Sequence, residues 1–218
     1  MQRTLEPEVM DSAEEALAYD LMDHSGPNRA FLERLVTLGA HGRILDLGTG
    51  PGHIPMLLVE RLNDVTVVGI DLSAHMLQRA ELKRQSSPHA ARVQFRLADA
   101  KRLPFESGSF DVVASNTILH HIGDPREFLA EAWRVLRPGG AFLIRDLFRP
   151  PTAERAEELV RTHAANAEPA QRDLLLASLH AAFEPDELRT LAREAGLVDV
   201  SLTIDSDRHM SLEARARR

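Results

Sequence analysis

Cysteine is absent from the chain. Disulfides, thiolate metal ligands and cysteine nucleophiles are excluded together, and the redox compartment is left undetermined. No apolar run approaches the length of a membrane span. The N-terminus lacks a charged-then-apolar leader pattern, so a cytoplasmic setting is the expectation. Internal repeats and low-complexity linkers are missing too. Positive charge is in deficit: 26 Lys and Arg stand against 33 Asp and Glu, a net charge of −7. A duplex nucleic-acid partner needs a basic face and is not expected; Arg215, Arg217 and Arg218 read as a solvated basic tail. What remains is 218 residues, 44% hydrophobic and 27% charged. That supports one α/β domain of ordinary size with a full core.

The chain is organised around Arg43 to His53, where an apolar run carrying Asp46 empties into Gly48, Gly50 and Gly52. Glycine lets a buried strand turn sharply and a ligand approach the backbone. The turn also delivers free amide groups at a helix start, where an anionic group is favoured. Asp46, just before the turn, offers a carboxylate to a cation or to ligand hydroxyls.

Strand-like runs fall at 44–47, 65–70, 93–97, 110–115 and 141–147, alternating with helical patterns. Helices are expected at 11–22, at 28–38 with Asn28 as cap, at 52–62 with Pro55 in the first turn, and after Ser73 as cap. Another starts at Asp124-Pro125 and ends at Arg137-Pro-Gly-Gly. Beyond Pro150-Pro151 the alternation gives way to a charge-rich helical stretch to about His180 and a helix at 185–195. Strands at 197–204 and 209–214 follow, with a hairpin signal at Asp205-Ser-Asp. The chain before Asp11 reads as mobile. Repeated strand–helix units imply a doubly wound, mostly parallel sheet with helices on both faces. In such sheets the ligand sits beyond the carboxyl ends of the strands.

Those strand ends carry chemistry. Asp71 has two oxygens with which to grasp vicinal ribose hydroxyls, while the helix-capping role is open to Ser73. Met76 is a polarizable plate for an adenine ring or core filler. Asp99 with the Ala100 amide pairs an acceptor with a donor, matching one edge of adenine. Ser115-Asn116 ends the fourth strand, where polar groups can hold an amino-acid ammonium. Tyr19, the only tyrosine, is a packing residue or a cleft hydroxyl. His120 and His121, neighbours on a helical turn, should point about 100° apart and make poor partners for one metal; no metal is expected. They remain candidates for pocket lining, for a general base near neutral pH or for structural polar roles.

Six signatures occur in order: Leu-Asp-Leu-Gly-Thr-Gly-Pro-Gly (45–52), Gly-Ile-Asp-Leu-Ser (69–73), Ala-Asp-Ala (98–100), Leu-Pro-Phe-Glu-Ser-Gly-Ser-Phe-Asp-Val-Val (103–113), Leu-His-His-Ile (119–122) and Leu-Arg-Pro-Gly-Gly (136–140). Together they resemble the class I S-adenosylmethionine-dependent methyltransferases, in particular the small-molecule subset that includes the ubiquinone/menaquinone C-methyltransferases. The resemblance implies a seven-stranded sheet of order 3-2-1-4-5-7-6 with strand 7 antiparallel. It implies S-adenosylmethionine as cofactor and a small-molecule methyl acceptor. Asp46, Gly48, Gly50 and Gly52 would meet the methionine moiety, with Thr49 of the same turn in the cofactor site, and Asp71 would meet the ribose. Asp99 and Ala100 would meet the adenine, Asn116 the amino-acid end, and Tyr19, Leu72 and Met76 would complete the lining. It also places the substrate lid in residues 1–40 and 151–182 of a single domain.

Methyl transfer from a sulfonium needs a base only when the acceptor must lose a proton; His121, His120 and Asp146 are the candidates. Arg145 and Arg149 offer charge to an anionic acceptor or simply form surface ion pairs. His209 is a further pocket candidate. The position that would complete a Gly-x-Gly-x-x-Gly dinucleotide fingerprint is His53, which counts against NAD. A non-catalytic cofactor-binding protein on the same fold is the remaining alternative, since fold does not fix chemistry.

Overall fold

A computed structural model describes residues 1–6 and 12–215. The tail residues Arg217 and Arg218 and the helix start expected at Asp11 lie outside them. Seven strands form one sheet in the order β3-β2-β1-β4-β5-β7-β6: β1 (Gly42–Leu47), β2 (Val65–Asp71), β3 (Val93–Leu97), β4 (Phe110–Asn116), β5 (Leu136–Leu147), β6 (Ser201–Ile204) and β7 (His209–Ala214). β1 lies between β2 and β4, parallel to both, and β7 is antiparallel to β5 and β6. The order implied by the family resemblance is the order observed.

The apolar runs are central because both faces of the sheet are covered. Along β1 alternate side chains enter opposite layers: Leu45 and Leu47 join Phe110, Phe128 and Phe142 on one side, while Ile44 joins Phe31, Leu58 and Leu143 on the other. The first layer is closed by α5 (Arg126–Val135) and α8 (Pro185–Glu194), the second by α2 (Ser25–Thr37) and α3 (His53–Arg61). α4 (Ala74–Ser86) follows β2. Ser73 caps it as expected, its hydroxyl accepting from the Met76 amide at 3.2 Å. Ser73→Ala should therefore lower the free energy of unfolding by about 1 kcal/mol, readable by urea denaturation of the cofactor-free protein.

Several boundaries differ from expectation for local reasons. α1 (Ala13–Asp20) starts at a capping box between Ser12 and Glu15. α2 starts at Ser25, which puts Asn28 inside the helix rather than at its cap. The helical stretch after Pro151 is two helices, α6 (Ala153–His163) and α7 (Pro169–Ala181), because Pro169 opens a new helix behind a Glu168–Gln171 capping box. β6 begins only at Ser201, after Asp199 takes a left-handed conformation at φ 58°.

Of the segment before Asp11, for which mobility is the expectation, residues 1–6 are described and the rest lies outside the described residues. Met1 to Glu6 is docked. The Arg3 guanidinium donates to the carbonyls of His120, Ile122, Gly123 and Ala181 and lies 3.6 Å over the Phe183 ring centroid. The Thr4 amide donates to the His180 carbonyl at 3.1 Å. Among the described residues no helix is long and apolar enough to cross a membrane.

Candidate functional site

The carboxyl ends of β1, β2, β3 and β4 open on a cavity of about 720 Å3. Its floor is the turn after β1. Gly48, Gly50 and Gly52 have φ of 67°, 52° and 79°, which side chains rarely adopt. Space demands glycine as well: a Cβ on Gly48 would stand 2.5 Å from Ile118, and one on Gly52 would stand 2.8 Å from Phe95. The turn is tied back to β2 by the Thr49 amide, which donates to the Ile70 carbonyl at 2.8 Å.

Two carboxylates frame this turn. Asp46 is 2% exposed and accepts a 2.7 Å bond from the Thr49 hydroxyl. Burial, reinforced by the charge of Asp71 and opposed by the Thr49 bond, pushes its pKa up to about 7. Asp71 accepts from the Gly50 amide at 2.8 Å with one oxygen and from the Ser73 amide at 2.9 Å with the other. Burial raises its pKa against the pull of these amides. Bracing the glycine turn is a role the sequence did not reveal, and the carboxylate, which the Leu72 amide also approaches, keeps acceptor capacity for a ligand.

Asp99 closes the far end, one oxygen taken by the Lys101 amide at 2.8 Å. On the side of β4, Ser115 is spent internally, its hydroxyl donating to the Leu47 carbonyl at 2.9 Å. The Asn116 amide group donates to Asn28 at 3.4 Å, but its Oδ1 is buried without a partner. An unsatisfied buried acceptor costs stability unless a ligand donor meets it. Of the expected cofactor residues, Tyr19, Asp46, Gly48, Thr49, Gly50, Asp71, Leu72, Met76, Asp99, Ala100 and Asn116 all line this one cavity. Gly52 lies behind the wall, where it lets the α3 entrance pack on Phe95 and Ala80.

The roof comes from α1 and α2. Half-buried Tyr19 stacks on His24 with ring centroids 4.5 Å apart. Burial raises its phenol pKa. The next residue, Asp20, ties the roof down: its carboxylate meets His53 at 3.0 Å and Arg79 at 2.9 Å and also pairs with Lys83, which donates to the Pro51 carbonyl. Nothing in the local sequence marks Asp20, because its partners come from two other helices.

The opposite wall is built on a 3-10 turn, Leu119–His121. His120 is buried, and its Nδ1 donates to Asp146 at 2.6 Å. The His120 and Leu147 amides also donate to the Asp146 carboxylate, at 3.0 and 2.6 Å. Burial disfavours both charges, but the pairing outweighs it: the Asp146 pKa is lowered and the His120 pKa raised, with Glu6 adding to the latter. His120 and His121 do not diverge as expected; their rings lie 4.2 Å apart at 37°. Both line the cavity, whereas Asp146 stands behind them.

His209 also lines the cavity, its Nδ1 3.0 Å from the Ser206 hydroxyl. Burial, with the charges of Arg145 and Arg208, depresses its pKa to about 3. Arg145 and Arg149 are not surface groups: they are 6% and 5% exposed. Arg145 donates to the Pro27 carbonyl and pairs with Asp205, and Arg149 donates to Ala182 and pairs with Glu187. Neither reaches the cavity. Arg208 does, and the sequence offered no signal for it beyond its place next to His209.

Residues 45–144 match the family model described as a methyltransferase domain. The chain is 32% identical over 202 residues to a demethylmenaquinone methyltransferase of Roseiflexus castenholzii, covering 85% of this chain and 83% of that protein. It is 37% identical over 135 residues to a 27-O-demethylrifamycin SV methyltransferase of Amycolatopsis mediterranei, covering 59% of this chain and 49% of that one. The chain spans about half the length of several curated relatives it matches, the rifamycin enzyme among them. Among solved structures, phosphoethanolamine N-methyltransferase 2 of Haemonchus contortus, held with phosphomonomethylethanolamine and S-adenosylhomocysteine, shares the fold at a TM-score of 0.67. The identity is 23%, over 88% of this chain and 44% of that one.

Proposed function

This chain belongs to the class I S-adenosylmethionine-dependent methyltransferases, and from that premise we propose that it transfers a methyl group from S-adenosylmethionine to a small-molecule acceptor. The observation that carries the reading is the convergence of Asp46, Asp71, Asp99 and the unpartnered Asn116 Oδ1 on one cavity floored by the glycine turn. An amino-acid ammonium would supply the donor that Asn116 lacks and a counter-charge for Asp46. Ribose hydroxyls would use the remaining acceptor capacity of Asp71. Asp99 and the Ala100 amide suit the adenine edge, with Leu72 and Met76 against its faces and Tyr19 above.

When bound, S-adenosylmethionine supplies a methyl group already activated by the sulfonium charge, so alignment and exclusion of water are the tasks left to the protein. In this reading residues 1–40 and 151–182 form the lid over the acceptor, and the cavity wall contributed by Ala164, Leu175 and Ser178 supports it. His120, oriented by Asp146 through Nδ1, directs Nε2 to the acceptor side with His121 beside it. That pair is the acceptor-activating group, as a base where the acceptor must lose a proton.

Calorimetry with S-adenosylhomocysteine, followed by mass spectrometry of an acceptor panel incubated with S-adenosylmethionine, tests the proposal. Stoichiometric binding and a product heavier by one methylene are the expected results. Binding without any methylated product across hydroxyl, amine, thiol and activated-carbon acceptors would instead favour a non-catalytic cofactor-binding protein. No binding would remove both readings.

A further inference from the structure

We propose that Glu6, His120 and His121 form a binding site for a first-row divalent transition cation on the cavity wall, with the acceptor joining it through an oxygen. The proposal rests on the methyl-transfer reading only for the identity of that last partner. The Glu6 carboxylate lies 3.7 Å from His120 Nε2 and 3.3 Å from His121 Nδ1, and one donor atom from each residue falls within 4.8 Å of the other two. Around a cation bound at about 2.0–2.2 Å, neighbouring ligands stand roughly 3.0–3.5 Å apart, so side-chain adjustments of about 1 Å or less would close the set. The side chains are 8%, 4% and 19% exposed, shielded enough to hold an ion away from bulk water.

The donor chemistry narrows the ion. Two imidazoles and one carboxylate on one side of a metal, with positions left open, suit zinc, cobalt, nickel or ferrous iron. Magnesium and calcium prefer all-oxygen shells. The second ring nitrogen of His120 already donates to a carboxylate, Asp146, the arrangement that fixes tautomer and ring orientation in metal-bound histidines. Glu6 is likewise held, by the Ser178 hydroxyl at 3.2 Å, and the segment bearing it is pinned by Arg3 and Thr4. Because both histidines line the cavity, the open positions face the acceptor. An acceptor hydroxyl, or a hydroxyl beside a carbonyl, fits them. With the cation in place the His120 lone pair is committed to it, and lowering the pKa of the bound hydroxyl, whose proton then leaves to water or buffer, becomes the work of the ion rather than of the imidazole.

The test titrates chelator-stripped protein with Co2+, followed by visible d–d absorption and calorimetry, in parallel with S-adenosylhomocysteine binding. One Co2+ per chain is expected, displaced by equimolar Zn2+ but not by Mg2+. His121→Ala and Glu6→Gln should each weaken Co2+ binding by more than about tenfold while leaving S-adenosylhomocysteine affinity unchanged, which also certifies that the variants fold. Absence of Co2+ binding, displacement by Mg2+, or equal binding by parent and both variants would overturn the site and leave a plain Glu–His ion-pair cluster. If Co2+ binds as described but S-adenosylhomocysteine does not, the methyl-transfer reading fails and the cation site stands. The reverse pattern removes the cation site alone.

Discussion

Asp71→Ala is expected to weaken S-adenosylhomocysteine binding by about 100-fold. A hydrogen bond to a charged group is worth about 1.5–3 kcal/mol, and two ribose hydroxyls would lose their acceptor together. The loss does not stop at the ligand. The Gly50 and Ser73 amides both donate to this carboxylate in the free protein, so alanine also releases the glycine turn that floors the cavity. Asp71→Asn separates the two effects. Its single carbonyl oxygen can serve one amide, and its NH2 meets the other donor unfavourably, so a loss of about tenfold is expected from the neutral acceptor. Calorimetry on the three proteins gives the comparison. An affinity for Asp71→Ala within threefold of the parent would remove Asp71 from the ribose site, and a loss of thermal stability large enough to unfold the variant would show up separately in the melting curve.

What the sequence made legible is what a parallel sheet makes obligatory. Asp46, Asp71, Asp99 and Asn116 each lie within two residues of the carboxyl end of a strand, and parallel strands deliver those ends to one edge. The glycines are local too, since their φ values are a property of the turn itself. Ser73 could be read as a cap because its partner is three residues away. The hidden features are those whose partners lie far along the chain. Glu6 stands in a short polar segment with no periodicity, and its docking depends on Arg3 finding four carbonyls at and after the distant 3-10 turn and at the end of α7. Asp20 looks like an exposed helix end until α4 and the α3 entrance bring His53, Arg79 and Lys83 to it. The His120–His121 geometry departs from regular helical spacing because the pair sits on a single 3-10 turn, where ring torsions rather than backbone phase set where the nitrogens point. Surface ion pairs are a natural expectation for Arg145 and Arg149 because sequence gives charge but not burial; Pro27 and Asp205 meet the one, and Ala182 and, from α8, Glu187 meet the other.

Asp46→Asn is expected to stabilise the cofactor-free protein at pH 8 while weakening S-adenosylhomocysteine binding. The ordinary carboxyl pKa of 3.8 is pushed to about 7 by burial in the folded state. The folded chain therefore holds this proton after the unfolded chain has released it. As pH rises from about 4 to 7, the unfolded state gains relative to the folded one, and stability falls until the folded carboxyl has ionised as well. The gap corresponds to about 4 kcal/mol at most. Asp71 and Glu6, also raised by burial, act in the same direction, and Asp20 and Asp146, both lowered, act oppositely. Their sum is removed by taking the difference between variant and parent at each pH. That difference should grow from pH 5 to about pH 7, level off by pH 8, and vanish only below about pH 4, where the unfolded chain's Asp46 is protonated as well. An ammonium bound beside Asp46 reverses the sense, because it favours the ionised carboxylate. Binding to the parent should therefore release a proton near pH 6, visible as buffer-dependent heat, and should tighten as pH rises through about 7. The asparagine variant keeps an acceptor for Thr49 but has no charge to offer, so its affinity should be lower and its binding free of that proton release. A stability difference that is the same at pH 5 and pH 8 would mean that Asp46 is already ionised in the free protein, and the cavity would then carry a standing negative charge rather than one switched on by its ligand.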